Sequence, residues 1–155
     1  MIILKIKAIA DSITAVKSFG HGRRNYANLE QENASMTEYG IGNEFPRVWL
    51  YPVEVIEEVQ KSGALNPRYK LLLDVCDLCN LDSSTQDIDV VLDRCEPIAR
   101  ELILRIFNIN DSELKLIEKI SARRTELIHV MDANLVGWAV QVEVKVQELI
   151  TYPCP

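Results

Sequence analysis

Two cysteines separated by two residues, Cys76 and Cys79, form the motif with the clearest potential for chemistry in this sequence. A Cys-x-x-Cys pair is typical of dithiol redox sites and of half of a zinc site. Redox thiols are activated by cations or by the first turn of a helix, whereas here Asp74, Asp77 and Asp82 surround the pair. Because carboxylates raise the pKa of a neighbouring thiol, packing at the end of a strand is the favoured interpretation.

Metal and acid–base chemistry have little support in the other residues. Cys95 and Cys154 do not supply a second ligand pair at the spacing of a zinc site, and the two histidines, His21 and His129, are isolated. His129 lies in a predicted strand, without a serine or cysteine nucleophile in a recognisable motif nearby. The sequence therefore predicts no catalytic residue, no metal site and no cofactor, and it favours a protein that is not an enzyme.

Composition and charge indicate one ordinary domain. The chain has 155 residues, of which 48% are hydrophobic and 26% are charged, and its net charge is −6. This length suffices for one core, so we expect a single domain over residues 1–155. The negative charge argues against binding to nucleic-acid phosphates. Because no signal peptide, membrane span or disulfide scaffold is recognisable, we expect synthesis in a reducing cytoplasm.

Apolar spacing predicts two long helices. The first covers residues 2–17, where isoleucines and Val16 recur every three or four positions. The second begins at Ser84, whose hydroxyl can cap the helix while Asp87 favours its positive end. Pro97 lies within the second apolar stripe, and we expect it to kink the helix or split it in two.

Residues 20–45 form a distinct segment between the first helix and the strands. Four of the six glycines and four asparagines lie in it, with few large apolar residues. A loop of this length is predicted to be a flexible arm that orders against a partner. A short strand near Phe19 and a helical turn near Leu29 are the elements it could contain.

Alternating apolar residues predict two pairs of strands. Pro52 cannot donate to a ladder, so its strand is expected at an edge or with a bulge. The strands cover residues 46–60, 68–78, 125–131 and 136–148, and residues 114–120 are ambiguous between a strand and a short helix. The fold class is therefore α+β, a mostly antiparallel sheet with two long helices packed on one face, in the order helix, β-hairpin, helix, β-hairpin.

Long strands and the arm both point to association with other copies. A long flat edge strand is an aggregation hazard unless a neighbour covers it, and the arm has too few apolar residues to fold alone. A subunit of a closed ring satisfies both requirements, because its neighbours cover edges and order arms. The residues expected at contacts between subunits are Arg23, Arg24, Tyr26, Tyr39, Trp49, Tyr51, Arg123 and Arg124.

Short motifs, taken in their order along the chain, resemble small virion proteins of tailed bacteriophages. They are Pro46-Arg-Val-Trp-Leu-Tyr-Pro, Leu71-Leu-Leu-Asp-Val, Asp132-Ala-Asn-Leu-Val-Gly-Trp138 and the closing Cys154-Pro155. In particular, the sequence is similar to tail-terminator or tail-completion proteins at the head–tail connector, including those of phages of gut Bacteroidetes. The element order that carries this resemblance covers nearly the whole chain.

The resemblance implies a non-enzymatic structural protein that forms a ring of six or twelve copies at the head–tail junction or tail end. Such a ring would contact portal or adaptor proteins on one side and tail-tube or other tail proteins on the other. DNA would pass through its channel without specific binding, since an acidic wall repels phosphate. The protein would be made in the host bacterial cytoplasm, would not bind a membrane and would reside in the virion.

Two alternatives to a ring subunit remain open on the sequence. One is a small cytoplasmic thiol redox protein that uses Cys76 and Cys79. The other is a monomeric adaptor module of cellular origin.

Deletion of residues 25–43 tests the role assigned to the arm. We expect a folded chain that no longer assembles, because the deleted segment carries contacts between subunits and little of the core. Circular dichroism and mass measurement would check the fold and the assembly separately. An unfolded product would show instead that the arm belongs to the core.

Overall fold

A computed structural model describes residues 2–22, 45–58, 66–79, 84–128 and 135–148. Two helices and six strands lie in these ranges. In chain order they are α1 (Ile2–Asp11), β1 (Ser18–His21), β2 (Arg47–Leu50), β3 (Glu54–Ile56), β4 (Arg68–Leu78), α2 (Thr85–Ile106), β5 (Leu114–Ile128) and β6 (Leu135–Glu148). Most of the predicted arm, the helical turn near Leu29, His129 and the turn at residues 132–134 lie outside the described residues. Neither described helix has the length and the apolar surface that a bilayer crossing requires.

The strands form one mixed sheet in the order β1-β2-β4-β6-β5, and β3 pairs with β4 beside β2. The α+β class and the mostly antiparallel sheet are confirmed, because β1 with β2 is the one parallel pair among the described strands. The predicted order of helix, β-hairpin, helix and β-hairpin differs from the structure in detail, because the short strand β1 lies between the first helix and β2. The strand expected near Phe19 exists as β1, and the ambiguous residues 114–120 belong to the single long strand β5.

The strand predicted over residues 46–60 is interrupted at Pro52. Three residues between Leu50 and Glu54 face two residues between Lys70 and Leu73, so the register shifts by one. The Tyr51 N–H still donates to the Leu72 carbonyl at 2.9 Å, which keeps the interrupted segment against β4. The expectation of an edge or a bulge at Pro52 is confirmed, and the bulge separates β2 from β3.

The first helix is shorter than its apolar spacing predicts. It ends at Asp11, and the Ser12 hydroxyl donates to the Ile9 carbonyl at 2.6 Å. Tight turns follow, and Ile13 remains buried within them. The spacing therefore identifies the residues that enter the core but not the residue at which the helix stops.

The second helix has the predicted start and an unbroken course. Ser84 and Asp87 form a capping box, in which the Asp87 N–H donates to the Ser84 hydroxyl at 3.2 Å. Pro97 does not split the helix, which runs without interruption for 22 residues. Its side chain is exposed, so the ring meets solvent and not the sheet.

The two faces of the sheet differ in what covers them. On the helix-covered face, the odd-numbered residues of β4 are buried, and so are the even-numbered residues of β6 from Val136 to Val146, except the half-buried Trp138. Trp138 belongs to this face, and its indole N–H donates to the Leu92 carbonyl of α2 at 3.0 Å. The second face carries the remaining residues of β4 and β6. It is buried beside β2 and exposed toward Gln141.

Replacement of Gly137 by alanine should destabilise the chain by at least about 3 kcal/mol, the upper end of the usual cost of overpacking. A Cβ atom at this position would lie 1.9 Å from the Val75 carbonyl oxygen, so two backbones would have to separate. Ala139→Gly, two residues along on the same face, is the control, with an expected cost of about 0.5–1 kcal/mol. Urea unfolding measures both, and equal costs would contradict the close approach of β4 and β6.

Candidate interaction surfaces

Trp49 is packed against its own chain. The ring lies over Gly20, where a Cβ atom would come within 2.3 Å of it, and the indole N–H donates to the Gly22 carbonyl at 3.0 Å. The side chain is 4% exposed. Trp49 therefore joins β2 to β1, and its predicted place in a subunit contact stays a prediction.

Arg47 is the largest fully buried side chain of the described residues. Its guanidinium lies 4.9 Å from the centre of the Phe45 ring and 5.5 Å from that of Trp49. Cation–π contacts of this kind gain strength when they are removed from water. Arg47 is thus part of the interior of the second face, although arginine side chains are mostly exposed in proteins.

Tyr51 connects the bulge to a buried carboxylate. Its hydroxyl donates to Asp74 Oδ2 at 2.7 Å, and Asp74 is 2% exposed. Burying a charged group is costly unless it is hydrogen-bonded, so this contact stabilises the second face beside Trp49. Tyr51 itself is half-buried and borders solvent.

A cleft of about 280 Å³ opens at the bulge on the second face. Leu72 and Pro52 give it an apolar part, and Lys70 pairs with Glu54 at 3.2 Å beside them. The lining residues are Tyr51, Pro52, Glu54, Lys70, Leu71, Leu72 and Gln141. This set contains no nucleophile with a base, and the described residues hold no group of three metal ligands. The cleft is suited to contact with an apolar side chain.

The two arginines at 123 and 124 lie on opposite faces of β5. Arg124 is half-buried on the helix-covered face, where Nη1 donates to Glu96 at 2.9 Å and the guanidinium lies 5.5 Å from the centre of the Trp138 ring. Arg123 is exposed opposite Gln141 on the second face. They do not form a joint basic patch. Arg23, Arg24, Tyr26 and Tyr39 lie outside the described residues.

The cysteines are separated as the strand geometry requires. Strand β4 runs through Leu78, which places Cys76 beside Leu135 on the second face, whereas Cys79 belongs to the main core with Cys95. All three side chains are buried. Burial, followed by Cys76 and Asp77, raises the pKa of the Cys95 thiol to about 12. Cys76 and Cys79 thus belong to different clusters, and the redox function stays an alternative.

Exposed apolar side chains are the surface features that the sequence patterns do not single out. Leu4 of α1 is 72% exposed and Leu104 of α2 is 61% exposed, while Leu72 on the second face is 41% exposed. Each is an apolar residue outside the stripe that its element buries. That departure from the stripe is the signal by which sequence reasoning could find them.

Thiol accessibility provides a test of the redox alternative. In a Cys154→Ser background, we expect Cys76, Cys79 and Cys95 to react with iodoacetamide only after denaturation, because all three are buried. Mass spectrometry of the native and the unfolded protein measures the labelled fraction. Rapid labelling of Cys76 and Cys79 in the native protein near neutral pH would support the alternative of a thiol redox protein.

Comparison of the sequence with family models and with curated proteins finds no match.

Proposed function

We propose that this chain is a non-enzymatic structural protein that forms a closed ring at the head–tail junction or tail end of a bacteriophage. The observation that carries the proposal is the exposure of large apolar side chains on two different sides of the molecule. Leu4, Val90 and Leu104 lie on the helices, and this set is the helix surface. Leu72 and Leu78 lie on the second face of the sheet, and this pair is the sheet surface.

Two unlike surfaces are what a ring subunit requires. In a closed ring every copy contacts one neighbour with one surface and the other neighbour with a different one. The cleft at the bulge adds a concave element to the sheet surface, and Leu104 is a protruding apolar side chain on the helix surface. We propose that the helix surface of one copy contacts the sheet surface of the next.

Charge and chemistry are compatible with a channel around DNA. The net charge of −6 repels phosphate, so DNA would pass without being held. The cysteines are buried, and the cleft contains no nucleophile with a base. Together with the resemblance, these features support a virion part with portal or adaptor proteins on one side and tail proteins on the other.

Leu104→Glu and Leu72→Glu test the ring contact. We expect the full-length chain to form rings visible by electron microscopy and each variant to remain folded without forming them, because a buried glutamate is costly to desolvate. Val55→Glu, at an exposed apolar residue outside both surfaces, is the matched control and should keep the ring.

A mixture of the two variants gives a sharper result. Each Leu104→Glu copy keeps an intact sheet surface and each Leu72→Glu copy an intact helix surface, so the mixture should form mixed pairs that contain one copy of each variant, but not rings. Rings that tolerate both substitutions would contradict the contact. A strictly monomeric chain whose gene lies away from portal, capsid and tail-tube genes would favour the cellular adaptor.

A further inference from the structure

Strand β5 lies at one edge of the described sheet. It is the last strand of the sheet and pairs with β6 along one side. On its other side, the first residues are covered, since the Leu116 N–H donates to the Ile109 carbonyl at 3.1 Å and Asn110 bridges Lys115. From Ile117 to Ile128, no described strand pairs with this side.

The two halves of this edge differ in regularity. Register shifts fall between Leu116 and Glu118 and between Lys119 and Ser121, and such bulges twist an edge away from further pairing. Residues 121–128 pair with β6 without a shift and contain no proline. These eight residues are named the free edge. An unpaired, regular stretch of this kind is a template for another strand.

The side chains of the free edge are self-complementary in one register. Directly opposed residues of two antiparallel strands lie on the same face of the sheet. Two copies can therefore pair around a two-fold axis at one residue, which then lies opposite the same residue of the other copy. With the axis at Thr125, opposite charges meet and a small apolar residue meets a large one. The opposed pairs are Thr125 with Thr125, Arg124 with Glu126, Ala122 with Ile128 and Arg123 with Leu127.

Neighbouring registers lack this complementarity. An axis at Arg123 or Arg124 places that arginine against its own copy, and an axis at Glu126 opposes two glutamates. Like charges directly opposite each other destabilise a strand pair, whereas opposite charges stabilise it. Charge therefore selects the axis at Thr125 among these four.

The structure leaves the required groups accessible. Glu126 is exposed, and Ile128 is 47% exposed. Arg124 donates to Glu96 through Nη1. Because a guanidinium has five N–H donors, Arg124 can keep this hydrogen bond and also donate to the Glu126 carboxylate of the second copy. Pairing would cover Ile128 with Ala122 of the second copy.

We propose that the free chain forms a two-fold dimer in which the free edges of two copies pair antiparallel around Thr125. The sheet then continues from β6 through β5 into the second copy. This contact uses the same surface on both copies, so it closes at two and is distinct from a ring contact. The inference concerns the unassembled protein and does not depend on the proposed ring.

Charge reversal at residues 124 and 126 tests the dimer. Glu126→Arg and Arg124→Glu should each weaken dimerisation by about tenfold or more, because both cross-strand pairs become repulsive. Mixing the two variants restores both pairs, so a heterodimer should form with near wild-type affinity. Analytical ultracentrifugation over a concentration series measures the four dissociation constants, those of the wild type, the two variants and their mixture, and the heterodimer also establishes that both variants are folded.

Glu118→Arg is the matched control, since the same change lies on β5 within the bulged half. It should leave the dimer unchanged. A wild-type chain that stays monomeric at every concentration, or a dimer that tolerates Glu126→Arg, would overturn the proposal. Rings that persist in Glu126→Arg would leave the proposed function intact, whereas a dimer that persists in Leu72→Glu would support the free-edge contact even if no ring exists.

Discussion

The pairing of β4 with β6 is the constraint on which the rest of the structure depends. Eleven residues of each strand oppose each other without interruption, from Arg68 with Lys145 to Leu78 with Leu135. At Gly137 the two backbones approach so closely that no side chain fits. Helix α2 packs on the apolar face of this pair, α1 packs against α2 and β1, and the remaining strands add to the two sides of the pair. The central pair therefore determines which surfaces remain available.

The two faces of this pair have different consequences. The helix-covered face contains the valines of β6 and the apolar stripe of α2, and it supplies most of the buried apolar area. The second face buries polar groups at one end, where Arg47 and Asp74 lie among aromatic side chains. At its other end it remains open, with a cleft at the bulge. Large apolar side chains are exposed at Leu72 near that end and on the outside of the helices, and also on the strands at Val55, Leu78, Ile117 and Ile128.

The described cysteines do not come together in one site. The three described cysteines are divided between two clusters and serve packing. Among the described residues, large apolar side chains are exposed on two sides of the molecule, and the outer side of β5 pairs with no described strand from Ile117 to Ile128. Unlike surfaces generate rings, whereas a self-complementary edge generates a closed dimer. The proposed dimer and the proposed ring therefore use different parts of the molecule.

Local chemistry made several elements predictable from the sequence. The capping box at Ser84, the alternation of β6 and the bulge at Pro52 depend on neighbours a few residues away, and each is present in the structure. The apolar stripe of the first helix correctly identified Ile6 as buried. These features could be predicted because their geometry and their periodicity are properties of short segments.

Strand pairing and side-chain burial that involve distant segments of the chain were decided by the tertiary structure alone. The parallel pairing of β1 with β2 joins strands separated by the predicted arm, and sequence periodicity carries no information on that pairing. Trp49 and Arg47 are of residue types expected at a contact, yet β1 and Phe45 bury them. Arg123 and Arg124 are adjacent in sequence but lie on opposite faces, because side chains alternate along a strand. The sequence by itself determined the α+β class and most elements, whereas long-range pairing determined which of their side chains reach the surface.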